Sequence, residues 1–132
     1  MSKHIHSKEA AKPIASYSQA VRAGDLVFVS GCVSIDPSTG ELNDDTIETA
    51  TTQSLANVRN VLISEGLDLN NIVKASVYMI NSEDFAGMDR VYSEIMSQPF
   101  PAREAFFVKG LPINARIEIS VIAHSPAKSS CC

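Results

Sequence analysis

The sequence predicts an α+β fold, a mixed β-sheet with two helices packed on one face, in the order β-β-α-β-α-β-β. Three observations predict it. Apolar, β-rich runs such as Leu26–Val33 and Ile72–Ile80 have the length of strands. Two longer stretches repeat apolar residues at helical spacing. Each helical stretch lies between strands, so both helices can return to cover the same sheet.

Tyr17–Arg22 reads as the first strand and Ala23-Gly24-Asp25 as a turn. Leu26–Val33 (LVFVSGCV) is the second strand. Asp36-Pro37-Ser38-Thr39-Gly40 is a loop dense in turn formers. A helix is expected from Asp45 as N-cap, with Glu48 three residues later completing a capping-box pattern. Its apolar stripe is Ile47, Leu55, Val58, Val61 and Leu62, and Gly66 ends it. Ile72–Ile80 is the next strand. Asn81 or Ser82 is expected to cap a second helix with the stripe Phe85, Met88, Tyr92, Ile95 and Met96, stopped by Pro99 and Pro101. Strands at about Glu104–Lys109 and Arg116–His124, joined through Gly110-Leu111-Pro112, complete the sheet. Residues 1–12 and 125–132 are expected to be mobile tails.

With 132 residues, 45% hydrophobic and 20% charged, the chain has the make-up of one globular domain with a real core. No apolar run approaches the roughly 20 residues of a transmembrane helix. The opening MSKHIHSKEAAK lacks the apolar centre of a secretory signal and is too acidic and arginine-poor for a transit peptide, so the cytoplasm is the expected location. The net charge is −4 and Lys and Arg are scattered, without the basic stripe of a nucleic-acid binder. Cys32, Cys131 and Cys132 are not a disulfide framework. Cys32 is expected to be a reduced, buried thiol. The terminal Cys131-Cys132 pair resembles the geranylgeranylated tail of some small GTPases, but nothing else in the chain does, and exposed thiols on a frayed tail are the plainer reading.

This layout leaves one sheet face uncovered. Leu26–Val33 is apolar on both faces, with Leu26 and Phe28 on one and Val27 and Val29 on the other. In the last strand Ile117, Ile119, Val121 and Ala123 share a face, and Arg116, Glu118, Ser120 and Ile122 share the opposite one. Two helices cover one face, so a partner subunit is expected on the face that carries Glu118.

Two charges stand out against the apolar C-terminal run. Arg103 follows Pro101-Ala102 at the mouth of a strand, and its planar fork suits a carboxylate. It either binds a ligand there or holds the fold through a salt bridge to Glu118 or Asp89. Glu118, between Ile117 and Ile119, is either a surface carboxylate or, inside an interface, a group that holds water and moves a proton. Gly31, after Ser30 within a strand, marks either close approach by a ligand or simple packing. Tyr17 offers a phenolic hydrogen bond. His4, His6 and His124 lack the spacing and acidic or thiol partners of a metal site. There is no phosphate loop, nucleophile elbow or paired CxxC.

The stretch PFPAREAFFVKGLPINARIEISVIA resembles the signature of the reactive-intermediate deaminase family (Rid, YjgF-like or L-PSP): Pro-Ala-Arg, then Leu-Pro, then an Ile-Glu-Ile strand. GDLVFVSGCVSIDPSTGEL is similar to the family's first hairpin and loop, and QSLANVRNVLISEGL, from Gln53, to its first helix. The resemblance runs from about Ser16 to Ala123. It implies a chorismate-mutase-like single domain, a homotrimer with active sites between subunits, and no metal or cofactor. It implies a 2-iminobutanoate/2-iminopropanoate deaminase-like hydrolase acting on small imino and enamine acids such as 2-aminoacrylate. Arg103 matches the arginine that holds the substrate carboxylate and Glu118 the acid associated with water and proton transfer. Tyr17, Ser30 and Gly31 match pocket-lining positions, and Asp89 and Ala105 lie at further substrate-side positions. Asp89 stands where many relatives carry Asn, Ala105 where many bacterial relatives carry Cys, and Glu104 where a small residue is usual. Endoribonuclease or translation-inhibitor activity, and a non-catalytic ligand-binding trimer, are the alternatives that the family also implies.

Overall fold

The computed structural model describes residues 2–9 and 11–126. Its strands are β1 (Ser2–Ile5), β2 (Ala20–Ala23), β3 (Leu26–Val33), β4 (Ile72–Met79), β5 (Ala102–Phe107) and β6 (Ile117–His124), and its helices are α1 (Ile47–Ile63) and α2 (Phe85–Ile95). The six strands form one sheet in the order β1-β2-β3-β6-β4-β5. All neighbours are antiparallel except β4 and β5, which run parallel because α2 links them as a crossover. The α+β class and the helices on one sheet face agree with the sequence reading.

The N-terminus differs from that reading. Residues 2–5 are not a tail: Ser2–Ile5 pairs with β2, placing His4 opposite Val21 and Ile5 opposite Ala20. Ile5 and Ala20 are both buried, which ties the segment down. The expected strand at Tyr17–Arg22 begins only at Ala20. Buried Gln19 is the reason. Its amide nitrogen donates to the carbonyls of Ser7 at 3.1 Å and Ala11 at 3.0 Å, and its amide oxygen accepts from the Ser7 N–H. Those bonds fold the preceding segment into a loop and leave Tyr17 outside the sheet.

Helix α1 starts one residue later than expected. Thr46 is its N-cap, with Oγ1 accepting the Thr49 N–H at 3.0 Å, while Glu48 turns to Arg90 of α2 at 2.7 Å instead of closing a capping box. Its five stripe residues are all buried. Gly66, at φ +73°, closes the helix: the Leu67 N–H reaches the Leu62 carbonyl at 3.0 Å and the Gly66 N–H reaches that of Ile63 at 2.9 Å. Before α2, Asn81 caps a short turn over Ser82–Asp84 without a side-chain hydrogen bond. Met88, Tyr92 and Met96 are buried as expected, but Phe85 is exposed.

The core lies between the helices and one sheet face, where Val27, Val29, Ala75, Val77, Ile117 and Ile119 are buried. Each large side chain so buried contributes about 1.5–3 kcal/mol. On the other face Phe28 is 42% exposed, and Ser120 and Ile122 are half-buried. Phe106 is exposed there too, its ring stacked on Tyr78 at 6.0 Å between centroids. The uncovered face read from the strand alternation is therefore a feature of the folded chain. Among the described residues, no helix is long and apolar enough to cross a membrane. Ser125 is still anchored, donating to the Asp25 carbonyl at 2.7 Å. Cys131 and Cys132 lie outside the described residues.

Candidate active site

The Glu118 side of the site is built by an irregularity in β3. The β3–β6 register shifts between Val29 and Cys32, which places Ser30 and Gly31 in a bulge beside β6. A methyl group on Gly31 would come within 2.6 Å of the Glu118 Cδ, so only glycine leaves room for that carboxyl. Glu118 is half-buried and has no hydrogen-bond partner among the described residues. Burial raises its carboxyl above the ordinary glutamate range. Ser30 Oγ donates to the Ser18 carbonyl at 2.6 Å, which fixes its hydroxyl. Tyr17, 43% exposed, joins Ser30, Gly31 and Glu118 around an open cleft of about 220 Å³, with Ile14 and Pro112 also lining it. The loop behind Pro112 is strained: Ile113 and Asn114 sit at φ +52° and +58°. For a β-branched residue such as Ile113 that conformation costs about 1–3 kcal/mol.

Cys32, expected as a buried thiol, is half-buried: it packs against the core on the far side of this wall, its Sγ donating to the Ser30 carbonyl at 3.5 Å. Burial, and then the neighbouring Glu118 carboxylate, push its thiol up to about 12. That direction disfavours the thiolate form.

Arg103 sits in different surroundings. It pairs with Ala75 across the β4–β5 ladder, which turns it toward the helices. There its Nη1 donates to Asp89 Oδ1 at 2.8 Å. The guanidinium carbon lies 4.7 Å from the centre of the Tyr92 ring and 5.7 Å from that of Phe85. These contacts hold the guanidinium beside α2. Ala105, two residues on, shares this face and packs against the core. Glu104 alternates to the opposite face, where it accepts from Ser76 at 3.3 Å and pairs with Lys74 at 3.3 Å.

Of the two salt bridges left open for Arg103, the chain forms the one to Asp89. Arg103 and Glu118 point to opposite faces of the sheet, since the buried Ile117 and Ile119 flank Glu118 on the helix side. Tyr17, Ser30, Gly31 and Glu118 therefore form one group, and Asp89, Arg103 and Ala105 form another. The helical spacing assigns Phe85 and Tyr92 to the apolar stripe of α2 alone. The spacing of Phe85, Asp89 and Tyr92, which stacks them along one side of α2, is the signal that finds the arginine shelf. His4 bonds Ser18 at 2.6 Å, and among the described residues no three His, Cys, Asp or Glu side chains gather as a metal-binding set.

Comparison with known proteins places this geometry. The endoribonuclease L-PSP family description matches residues 7–125. A RutC family protein of Pyrococcus horikoshii is 41% identical over 124 residues, covering 94% of this chain and 98% of the relative. The 2-iminobutanoate/2-iminopropanoate deaminase of Mus musculus is 36% identical over 121 residues, covering 92% and 90%. A crystal structure titled as a putative endoribonuclease from Thermotoga maritima superposes with a TM-score of 0.92 at 38% identity, covering 96% of this chain and all of that one. With its sheet, its helices and nearly its full length accounted for, the chain belongs to the L-PSP family, the Rid and YjgF-like proteins.

Proposed function

We propose that the protein hydrolyses 2-imino acids and their enamine tautomers, such as 2-iminobutanoate and 2-aminoacrylate, to 2-oxo acids and ammonia. The observation that carries this reading is Glu118: a carboxyl in a cleft, without a partner among the described residues, its pKa raised by burial. A group poised in that way can both take and return a proton. The name borne by the mouse relative points to the same chemistry.

The residues divide the work. Arg103 holds the substrate carboxylate. Glu118 takes a proton from water as the water oxygen bonds to the carbon of the protonated imine, whose C=N electron pair moves to nitrogen to give a neutral amine. Glu118 then returns that proton to the amine, the C–N bond breaks as the O–H electron pair forms the carbonyl, ammonia leaves, and Glu118 takes up the hydroxyl proton and passes it to solvent. Ser30 and Tyr17 line the wall and offer hydroxyls to the bound substrate. Because Arg103 and Glu118 point away from each other in one chain, a site using both takes one from each of two copies. A homotrimer with three such sites fits the exposed sheet face around Phe28 and Phe106.

The test is the decay of 2-iminobutanoate generated in place by a threonine dehydratase. Wild type accelerates it. Arg103→Ala, with unchanged circular dichroism, loses about tenfold to 150-fold in kcat/KM, the equivalent of the roughly 1.5–3 kcal/mol of a charged hydrogen bond. An unchanged rate in the folded variant contradicts the proposal.

A further inference from the structure

Arg103 meets its ligand already paired. Only its Nη1 is engaged, so Nε and Nη2 have no hydrogen-bond partner among the described residues. Asp89 uses only Oδ1, and its Oδ2 is likewise without a partner among them. The Arg103 side chain keeps 22% of its surface exposed and that of Asp89 49%, so the pair is open to solvent. The site thus offers a fork of donors and, next to it, a free carboxylate oxygen. The Tyr92 and Phe85 rings lie 4.7 and 5.7 Å from the guanidinium carbon.

A simple carboxylate anion gains the arginine but meets the repulsion of Asp89. A ligand with a cationic nitrogen on the carbon next to its carboxylate meets no such conflict: its carboxylate takes the free donors of Arg103 and its N–H⁺ faces Asp89. We propose that Asp89 is a specificity residue that makes the site prefer α-iminium and α-ammonium carboxylates over the 2-oxo acid of the same skeleton. This rests on the reading of Arg103 as the carboxylate anchor. It gives the pair a role in turnover, because hydrolysis removes the cation that offset Asp89 and so loosens the product.

L-2-Aminobutanoate and 2-oxobutanoate, matched in skeleton, test this by titration calorimetry on the full chain. Wild type binds the amino acid more tightly. Asp89→Asn shifts the ratio of the two dissociation constants about tenfold toward the oxo acid, equivalent to about 1.4 kcal/mol. Asp89→Glu, which keeps the charge, keeps the wild-type preference and so separates charge from loss of a structural contact. A ratio unchanged in Asp89→Asn, or no binding of either ligand, overturns the proposal. Imine hydrolysis measured on the same preparations separates the two readings. Hydrolysis by wild type with no change of selectivity in Asp89→Asn refutes only the role of Asp89. Selectivity without hydrolysis refutes only the deaminase reading.

Discussion

On β5, Arg103 is held within its own chain: Asp89 pairs with it at 2.8 Å and two rings of α2 lie beside it. On β6, Glu118 faces the uncovered side of the sheet, with a glycine beneath it and no partner among the described residues. The cation has a charge partner before any ligand arrives, and among the described residues the acid has none. On the proposed reading, the contrast separates an anchor from a reactive group. An arginine held by an ion pair and two neighbouring rings presents its remaining donors in one place. A carboxyl whose ionised form is disfavoured by burial releases and accepts protons more readily near neutral pH.

Replacing Glu118 separates the halves most sharply. Glu118→Gln is expected to lower kcat for 2-iminobutanoate by about 10²–10⁴, the usual range for a proton-transfer group, with little change in KM. In wild type the acidic limb of the kcat/KM profile lies above the ordinary glutamate range, because burial raises this carboxyl, and that limb disappears in Glu118→Gln. Arg103→Ala, by contrast, acts mainly on binding. Equal effects on KM from both variants would erase the distinction between them.

Gly31→Ala tests the wall without removing a functional group. The added methyl meets the Glu118 Cδ at 2.6 Å, so the carboxyl must swing aside. A loss of about ten- to a hundredfold in kcat is expected, since small misplacements of a reacting group carry that cost. A fully active Gly31→Ala would show that the position of Glu118 is unimportant.

The smallest effect is on stability. A carboxyl whose folded-state pKa is raised contributes stability below its unfolded value, and that contribution is lost as pH rises through the folded value. At neutral pH the charged Glu118 is therefore a mild burden. Glu118→Gln is expected to raise Tm at pH 7 by at most about 4 °C, and to lose that advantage at pH 4. A lower Tm at pH 7 would indicate an ion pair holding Glu118.

Much of this was legible in the residues. The alternation in β3 and β6 exposed the uncovered face, and the apolar spacing located both helices. Arg103 and Glu118 stood out because charges in apolar strands are costly. Other features depend on contacts between distant segments. The fold-back at the N-terminus needs Gln19 to bond Ser7 and Ala11, which no local propensity encodes. The left-handed backbone at Ile113 runs against the preference of its own side chain. The choice of Asp89 over Glu118 as the partner of Arg103 followed from which sheet face each strand position takes, and that required the register of β5 on β4.

The central claim is that one active site draws Arg103 from one copy and Glu118 from another. Mixing inactive Arg103→Ala and Glu118→Gln proteins, unfolding them together and refolding them measures it directly. Random reassembly is predicted to restore about a quarter of wild-type imine hydrolysis, because a site drawing one residue from each of two neighbours is intact in about one combination of four. Activity no higher than that of the two parents would contradict a shared site.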